Sequence, residues 1–189
     1  MGAPFVRLRE DNTPVLIYGR HRLLALQELG EVAVECIVHD VDDDDAELME
    51  IDENLARAEL SPAQEAAHIL RRKEIWERKR KREEETGARI SRTSLMDGRK
   101  SGPQHEKQFA SELASVVGNG RNPESVKRDV QLKIARAREL GPDIHLIAGT
   151  SLDKGVEMDA LIKLSEPERK ELIERASKGE KVSARPAPT

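Results

Sequence analysis

The chain has 189 residues, with 36% charged and 2% aromatic side chains and a formal net charge of −4. That composition calls for aliphatic cores in one or two helix-rich domains, and it excludes a large β-sandwich or an aromatic-lined cofactor barrel. No uncharged apolar run approaches the roughly 20 residues of a membrane span, no basic-then-apolar secretion signal opens the chain, and the single cysteine, Cys36, excludes a disulfide framework and a cysteine-rich zinc site; the expectation is a soluble cytoplasmic protein with no membrane partner.

The modest net charge conceals an asymmetry. Residues 1–60 hold 5 basic and 15 acidic side chains, net −10; residues 61–138 hold 19 and 11, net +8; residues 139–189 hold 8 and 10, net −2. A basic middle between acidic ends fits a local contact with a polyanion. It equally fits lysines and arginines that only solvate long helices.

In chain order, Phe5-Val6-Arg7-Leu8 reads as a short strand, Asp11-Asn12 as a turn and Val15-Leu16-Ile17-Tyr18 as a second strand. Gly19 breaks that strand. Leu23, Leu24, Leu26 and Leu29 then recur at helical spacing, and Gly30 supplies a stop. The alternation of Val32, Val34, Cys36 and Val38 predicts a third strand over 32–39. Asp42–Asp45 precede Leu48, Ile51 and Leu55 at helical spacing. Acids in that position offset the positive end of a helix dipole, a better reading than a metal site, since adjacent carboxylates on a helix diverge.

Ser61-Pro62-Ala63-Gln64 is a capping box with proline at the first helical position. The helix it starts carries Ala66, Ile69, Leu70, Lys73 and Trp76, and runs into Arg78–Arg82 and Glu83–Glu85. Residues 86–106 read as an exposed linker. Phe109, Leu113, Ala114 and Val117 make one apolar face, Gly118–Arg121 a turn, and Asn122-Pro123 a second helix start. Val126, Val130 and Ile134 line the inner side of that second helix. Gly141-Pro142 ends it. Two last helices are predicted near 143–163 and 166–177, the latter opened by a Ser165/Glu168 capping box, and the final segment 179–189 reads as a disordered tail.

Three clusters could carry chemistry. Gly19-Arg20-His21-Arg22 joins a strand to a helix, where free backbone N–H groups attract anions and arginine adds bidentate donors for phosphate. Cations are disfavoured at a helix N-terminus unless an anion is present, which favours an anion here and leaves a solvated turn as the alternative. Glu53 and Asn54 offer hard oxygens suited to Mg²⁺, with Arg57 a further phosphate contact; by spacing alone they are ordinary polar surface. The 107–140 helix pair fits a helix-turn-helix, whose second helix would offer Ser125, Lys127, Arg128, Gln131 and Lys133 to DNA, and fits equally an ordinary antiparallel pair. His39, His68, His105 and His145 show no metal spacing. No nucleophile elbow and no Walker-type loop is present.

Taken in order, these segments resemble the ParB family, whose N-terminal domain shares the ParB/sulfiredoxin fold. Ile17-Tyr18-Gly19-Arg20-His21-Arg22-Leu23-Leu24-Ala25 is similar to the family's phosphate motif, and Glu53-Asn54-Leu55-Ala56-Arg57 with Leu60-Ser61-Pro62 and Glu65-Ala66 to the next one. A helix-turn-helix follows, and Gly149–Glu157 resembles ParB-like proteins of phages and mobile elements. The resemblance covers roughly residues 5–163.

It implies an α+β chain: a ParB/sulfiredoxin-like α/β domain at 1–60, a basic connecting helix at 61–85, a linker at 86–106, an all-α helix-turn-helix region at 107–140 and C-terminal helices at 141–178. It further implies a DNA-binding protein of plasmid or phage partition or of transcriptional control, nucleoid- or plasmid-associated, with CTP and Mg²⁺ as ligands and room for a homodimer. Gly19, Arg20, His21 and Arg22 would cradle phosphates, Glu53 and Asn54 would help hold Mg²⁺, and Arg57 would support the phosphates. Related enzymes of the fold leave a CTPase-type switch, a nuclease or a kinase open. Sulfiredoxin chemistry is not expected, because Arg20 stands before His21 where that family has its cysteine. The family's upstream helix and first motif have no counterpart here, so the domain is expected to be short at its N-terminus, either as a truncated product or because the start lies upstream.

Overall fold

In the computed structural model, which describes residues 3–57, 59–85, 108–113 and 122–186, the early apolar runs fold as β1 (Phe5–Leu8) and β2 (Pro14–Tyr18), an antiparallel pair. Phe5 faces Tyr18 and Val6 faces Leu16, which leaves Ile17 as the extra residue of a bulge. Asn12, with φ 62°, makes the turn between them, and Asp11 caps it by accepting the Thr13 N–H at 2.9 Å. Helix α1 (Arg20–Glu28) follows, then β3 (Ile37–His39), which pairs parallel to β1 and gives the sheet order β2-β1-β3.

The third strand is shorter than its alternation predicts. Ile37 N–H donates to the Pro4 carbonyl at 2.9 Å, and one step further back the partner would be Pro4 itself, which has no N–H. Residues 32–36 are therefore irregular; Val32 is wholly exposed, and Cys36 sits in this loop, not on a strand, its thiol directed at the Val34 carbonyl.

Helix α2 (Asp43–Ala56) opens on the acidic run. Asp42 accepts the Asp45 N–H at 2.7 Å as a cap, and Arg7 of β1 pairs with Asp43. Two compact units divide the chain, Met1–Asn54 and Leu55–Thr189. The first buries Val6, Ile17, Ala46 and Ile51.

The second unit is helical. Its α3 (Pro62–Glu85) begins as the sequence predicts, with Ser61 N–H donating to Gln64 Oε1 at 3.0 Å and Gln64 N–H to Ser61 Oγ at 3.3 Å. A second cap comes from far away: Asp153 Oδ1 accepts the Ala63 N–H at 2.8 Å across 90 residues. A helical stretch at 108–113, α4 (Pro123–Leu140), α5 (Asp143–Ile147), α6 (Gly155–Leu161) and α7 (Glu166–Ser177) complete it. Ala63, Ala66, Ala137, Leu140, Ile144, Ile147, Leu152, Met158, Leu161, Ile173 and Ala176 form one core.

The helix expected as a connector at 61–85 is thus the central packing element, lying against α4 and α5, and the segments expected as separate regions at 107–140 and 141–178 share its core. The single helix expected over 143–163 is split into α5 and α6. Gly149 takes φ 76°, its N–H donates to Asp153 Oδ2 at 2.6 Å, and Thr150 Oγ1 returns to the Ile147 carbonyl at 2.7 Å, so side chains replace the helical ladder there. The expected disordered tail is docked through residue 185. Ser151 bonds both backbone groups of Val182, at 2.8 and 3.0 Å, and the buried Glu157 holds Ser183, Ala184 and Arg185. The predicted linker at 86–106, with His105, lies outside the described residues, as do Ala114, Val117, the turn Gly118–Arg121 and residues 187–189. Among the described residues no helix is long and apolar enough to cross a membrane.

Candidate functional site

The first candidate lies wholly in the N-terminal unit. The end of β2 must turn sharply to start α1, and Gly19 makes that turn with φ +103°; a Cβ there would stand 3.1 Å from Pro4 Cα. Only glycine combines that conformation with that approach. No side chain caps α1 and its first turn holds no acid, in contrast to the three aspartates of α2. The first-turn N–H groups and the exposed Arg20 and His21 therefore make a positive corner suited to an anion. Arg22 is half-buried and turned inward, with Nη1 donating to the Ala3 carbonyl at 3.1 Å.

Tyr18 stands directly before the turning Gly19. Burial pushes its phenol above the ordinary tyrosine range, the Glu53 carboxylate adds to that push, and the Arg22 guanidinium works against it. Arg22 and Glu53 thus act on this phenol with opposite sign. Glu53 belongs to an acidic row with Glu47 and Glu50 at three-residue spacing; burial, then those two neighbours, raises the Glu50 carboxyl. Asn54 is half-buried on the same helix, about 100° round from Glu53. Arg57 is exposed and belongs to the second unit. The corner fits a phosphate. A magnesium ion beside Glu53 would take most of its ligands from phosphate oxygens and water, since among the described residues no three His, Cys, Asp or Glu side chains close on a common point.

The Ala3–Pro4 backbone is a part of this corner that motif reading passes over, and Tyr18, though inside the motif, carries no role in it. Tyr18 also stacks on Phe5 at 4.3 Å, and Phe5 on His39 at 5.2 Å, a file of three rings across the sheet. In the helical unit, burial and then the neighbouring His145 lower His68.

The second candidate is α4. Asn122 caps it by accepting the Glu124 N–H at 2.9 Å, with Pro123 following. Val126, Val130, Ile134, Ala137 and Leu140 are buried, which turns Ser125, Arg128 and Gln131 to solvent and leaves Lys127 half-exposed. Glu124, also exposed, dilutes the positive charge of that face. Lys133 does not join it: its ammonium lies between Glu65 at 2.7 Å and Asp129 at 2.6 Å. Arg136 faces inward too, gripping Asp159 through two bonds of 2.7 Å, and holds the Asp159 carboxyl below its usual range.

The basic run of α3 is partly compensated within its own helix. Arg80 pairs with Glu84 at 3.1 Å and lies over the Trp76 ring, and Lys81 pairs with Glu85 at 3.8 Å. The 108–113 stretch packs on the same helix, with Phe109 edge-on to Trp76 and Glu112 accepting the Trp76 indole N–H at 2.8 Å.

No protein-family model matches the chain. No curated protein matches it. Among solved structures it is similar to the C-terminally truncated chromosome-partitioning protein ParB from Caulobacter crescentus, complexed to the centromeric parS site, with 17% identity and a TM-score of 0.45 over 97% of this chain and 78% of that one.

Proposed function

We propose that the chain is a ParB-like DNA-binding protein of plasmid or phage partition, or of transcriptional control, with α4 as its reader and the α1 start as a phosphate site responsive to CTP and Mg²⁺. The observation that carries the reading is α4: a capped helix with one face locked into the core and Ser125, Lys127, Arg128 and Gln131 left on or near the outer one. Such a helix can enter a groove without unpacking, and its start is where a recognition helix meets base edges.

Binding to a random-sequence DNA duplex, followed against salt, tests it. Each neutralised phosphate contributes about −0.9 to the log–log slope. Lys127→Ala and Arg128→Ala should each weaken binding and flatten that slope, whereas Lys133→Ala, already engaged with Glu65 and Asp129, should leave the slope unchanged. A salt-independent signal, or equal effects from all three, rejects the reading.

A second reading, a nucleotide-dependent enzyme (CTPase-type switch, nuclease or kinase), is favoured by the tight Gly19 turn and the uncapped start of α1 beside Arg20 and His21. CTP and ATP turnover with Mg²⁺, against Arg20→Ala as control, separates it from binding alone. Absence of both turnover and nucleotide-dependent stabilisation removes it.

A further inference from the structure

We propose that residues 181–185 form a detachable strap, held at a site organised by the buried Glu157 carboxylate, and that its departure loosens α4. The proposal does not rest on what α4 binds.

Glu157 is 4% exposed, and its own helix, GVEMDAL, contains no cation. Its partners come from the strap. Ala184 N–H donates to Oε2 at 2.8 Å, the Ser183 hydroxyl lies 3.0 Å from both oxygens, and Arg185 Nε reaches Oε1 at 2.9 Å. A buried carboxylate stripped of these donors is strongly disfavoured, so carboxylate and strap depend on each other. Ser151 reads the backbone of Val182 in both directions, and Val182 and Ala184 pack on the core. The strap has no helical or strand ladder of its own. Gly179 at φ 87° and the two-bond Arg175–Glu180 pair, at 2.8 and 2.6 Å, fix where it leaves α7. The occupant that fits is a short segment that bends after its polar residue, with a small polar residue between apolar ones and a cation after them, as in Val-Ser-Ala-Arg.

The route to α4 is short. Two residues after Glu157, Asp159 grips Arg136 of α4. The Arg136 guanidinium also lies 2.8 Å from where a Cβ on Gly155 would stand, so it rests on the first residue of α6. Helix α6 is therefore clasped by the strap on one side and by α4 on the other.

Amide exchange on the full-length chain tests this. Val182 and Ala184 N–H both donate to side chains, and the α4 amides around Arg136 report the coupling. Ser183→Glu, at an exposed position, sets a second carboxylate against Glu157. It should lower protection at Val182 and Ala184 by about tenfold or more and speed exchange near Arg136. Free peptide Lys-Val-Ser-Ala-Arg, at the millimolar level needed to match a tethered segment, should restore slow exchange near Arg136 while the displaced chain's own Val182 and Ala184 amides stay unprotected. Glu157→Gln should show the same losses without rescue. Unprotected Val182 and Ala184 amides in the unaltered chain overturn the proposal. So does a freed strap with α4 unchanged, failure of the peptide to rescue Ser183→Glu, or equal rescue of the Glu157→Gln chain.

Discussion

Leu24, Leu29, Val32, Ile37 and Val38 of the N-terminal unit are between 43% and 101% exposed, whereas Ile147, Leu152 and Leu161 of the helical unit have no accessible surface. The difference follows from shape. A three-stranded sheet of short strands, beside a helix with no buried residue, has few interior positions to fill. The helical unit brings side chains from α3 to α7 into one core. The first unit is consequently held in shape by backbone and polar devices: the Gly19 turn, the Arg7–Asp43 pair and the bond from Arg22 to the Ala3 carbonyl. The second is held by apolar packing, with capped helices and the Arg136–Asp159 pair added.

The contrast can be broken by substitution. Leu161→Ala, at a site with no accessible surface, should destabilise the helical unit by about 2–5 kcal/mol in denaturant titration; a loss much below that would mean the core is looser than its burial implies. Gly19→Ala should cost the N-terminal unit about 1–3 kcal/mol through its backbone conformation, read from amide exchange in β1 and β2, and should leave α4 exchange untouched.

Acid separates the units further. Burial pushes the Glu157 carboxyl upward, but the donors from Ala184, Arg185 and Ser183 outweigh that and hold it below its usual value, as Arg136 does for Asp159. Both groups contribute stability above the ordinary carboxylate range, which is lost as pH falls through their lowered folded values. Glu50 has the opposite sign: raised in the folded state, it takes up its proton early and favours the folded N-terminal unit as pH drops. Exchange resolved by residue should show the helical unit losing more protection than the N-terminal unit; the reverse order contradicts the assignment. The smallest effect belongs to Leu29→Ser, within about 0.5 kcal/mol of zero, because that side chain is 78% exposed.

What could be read from the chain alone divides along similar lines. Starts of α3, α4 and α7 were legible because each carries its cap within three residues: Ser61 with Gln64, Asn122 with Glu124, Ser165 with Glu168. The start of β3 was not, since it depends on where a parallel partner runs out of donors at Pro4. The break between α5 and α6 was hidden because a side chain, Asp153, replaces the helical bonds. At the sites, Gly19–Arg22 announces itself as a turn with cations. The capture of Lys133 by Glu65, 68 residues away, is a product of tertiary packing. The grip of Glu157 on residues 183–185 spans 26 to 28 positions and leaves no local pattern.

The bond from Ala63 N–H to Asp153 has a bearing on biosynthesis. A ribosome delivers the first turn of α3 well before the loop that completes its capping. The helix front must wait, supported only by Ser61 and Gln64, while some 90 further residues emerge. Long-range closures of this kind come late in folding. A nascent chain stalled before Asp153 would therefore carry a frayed α3 with Ala63 and Ala66 uncovered, a natural substrate for chaperones until translation resumes.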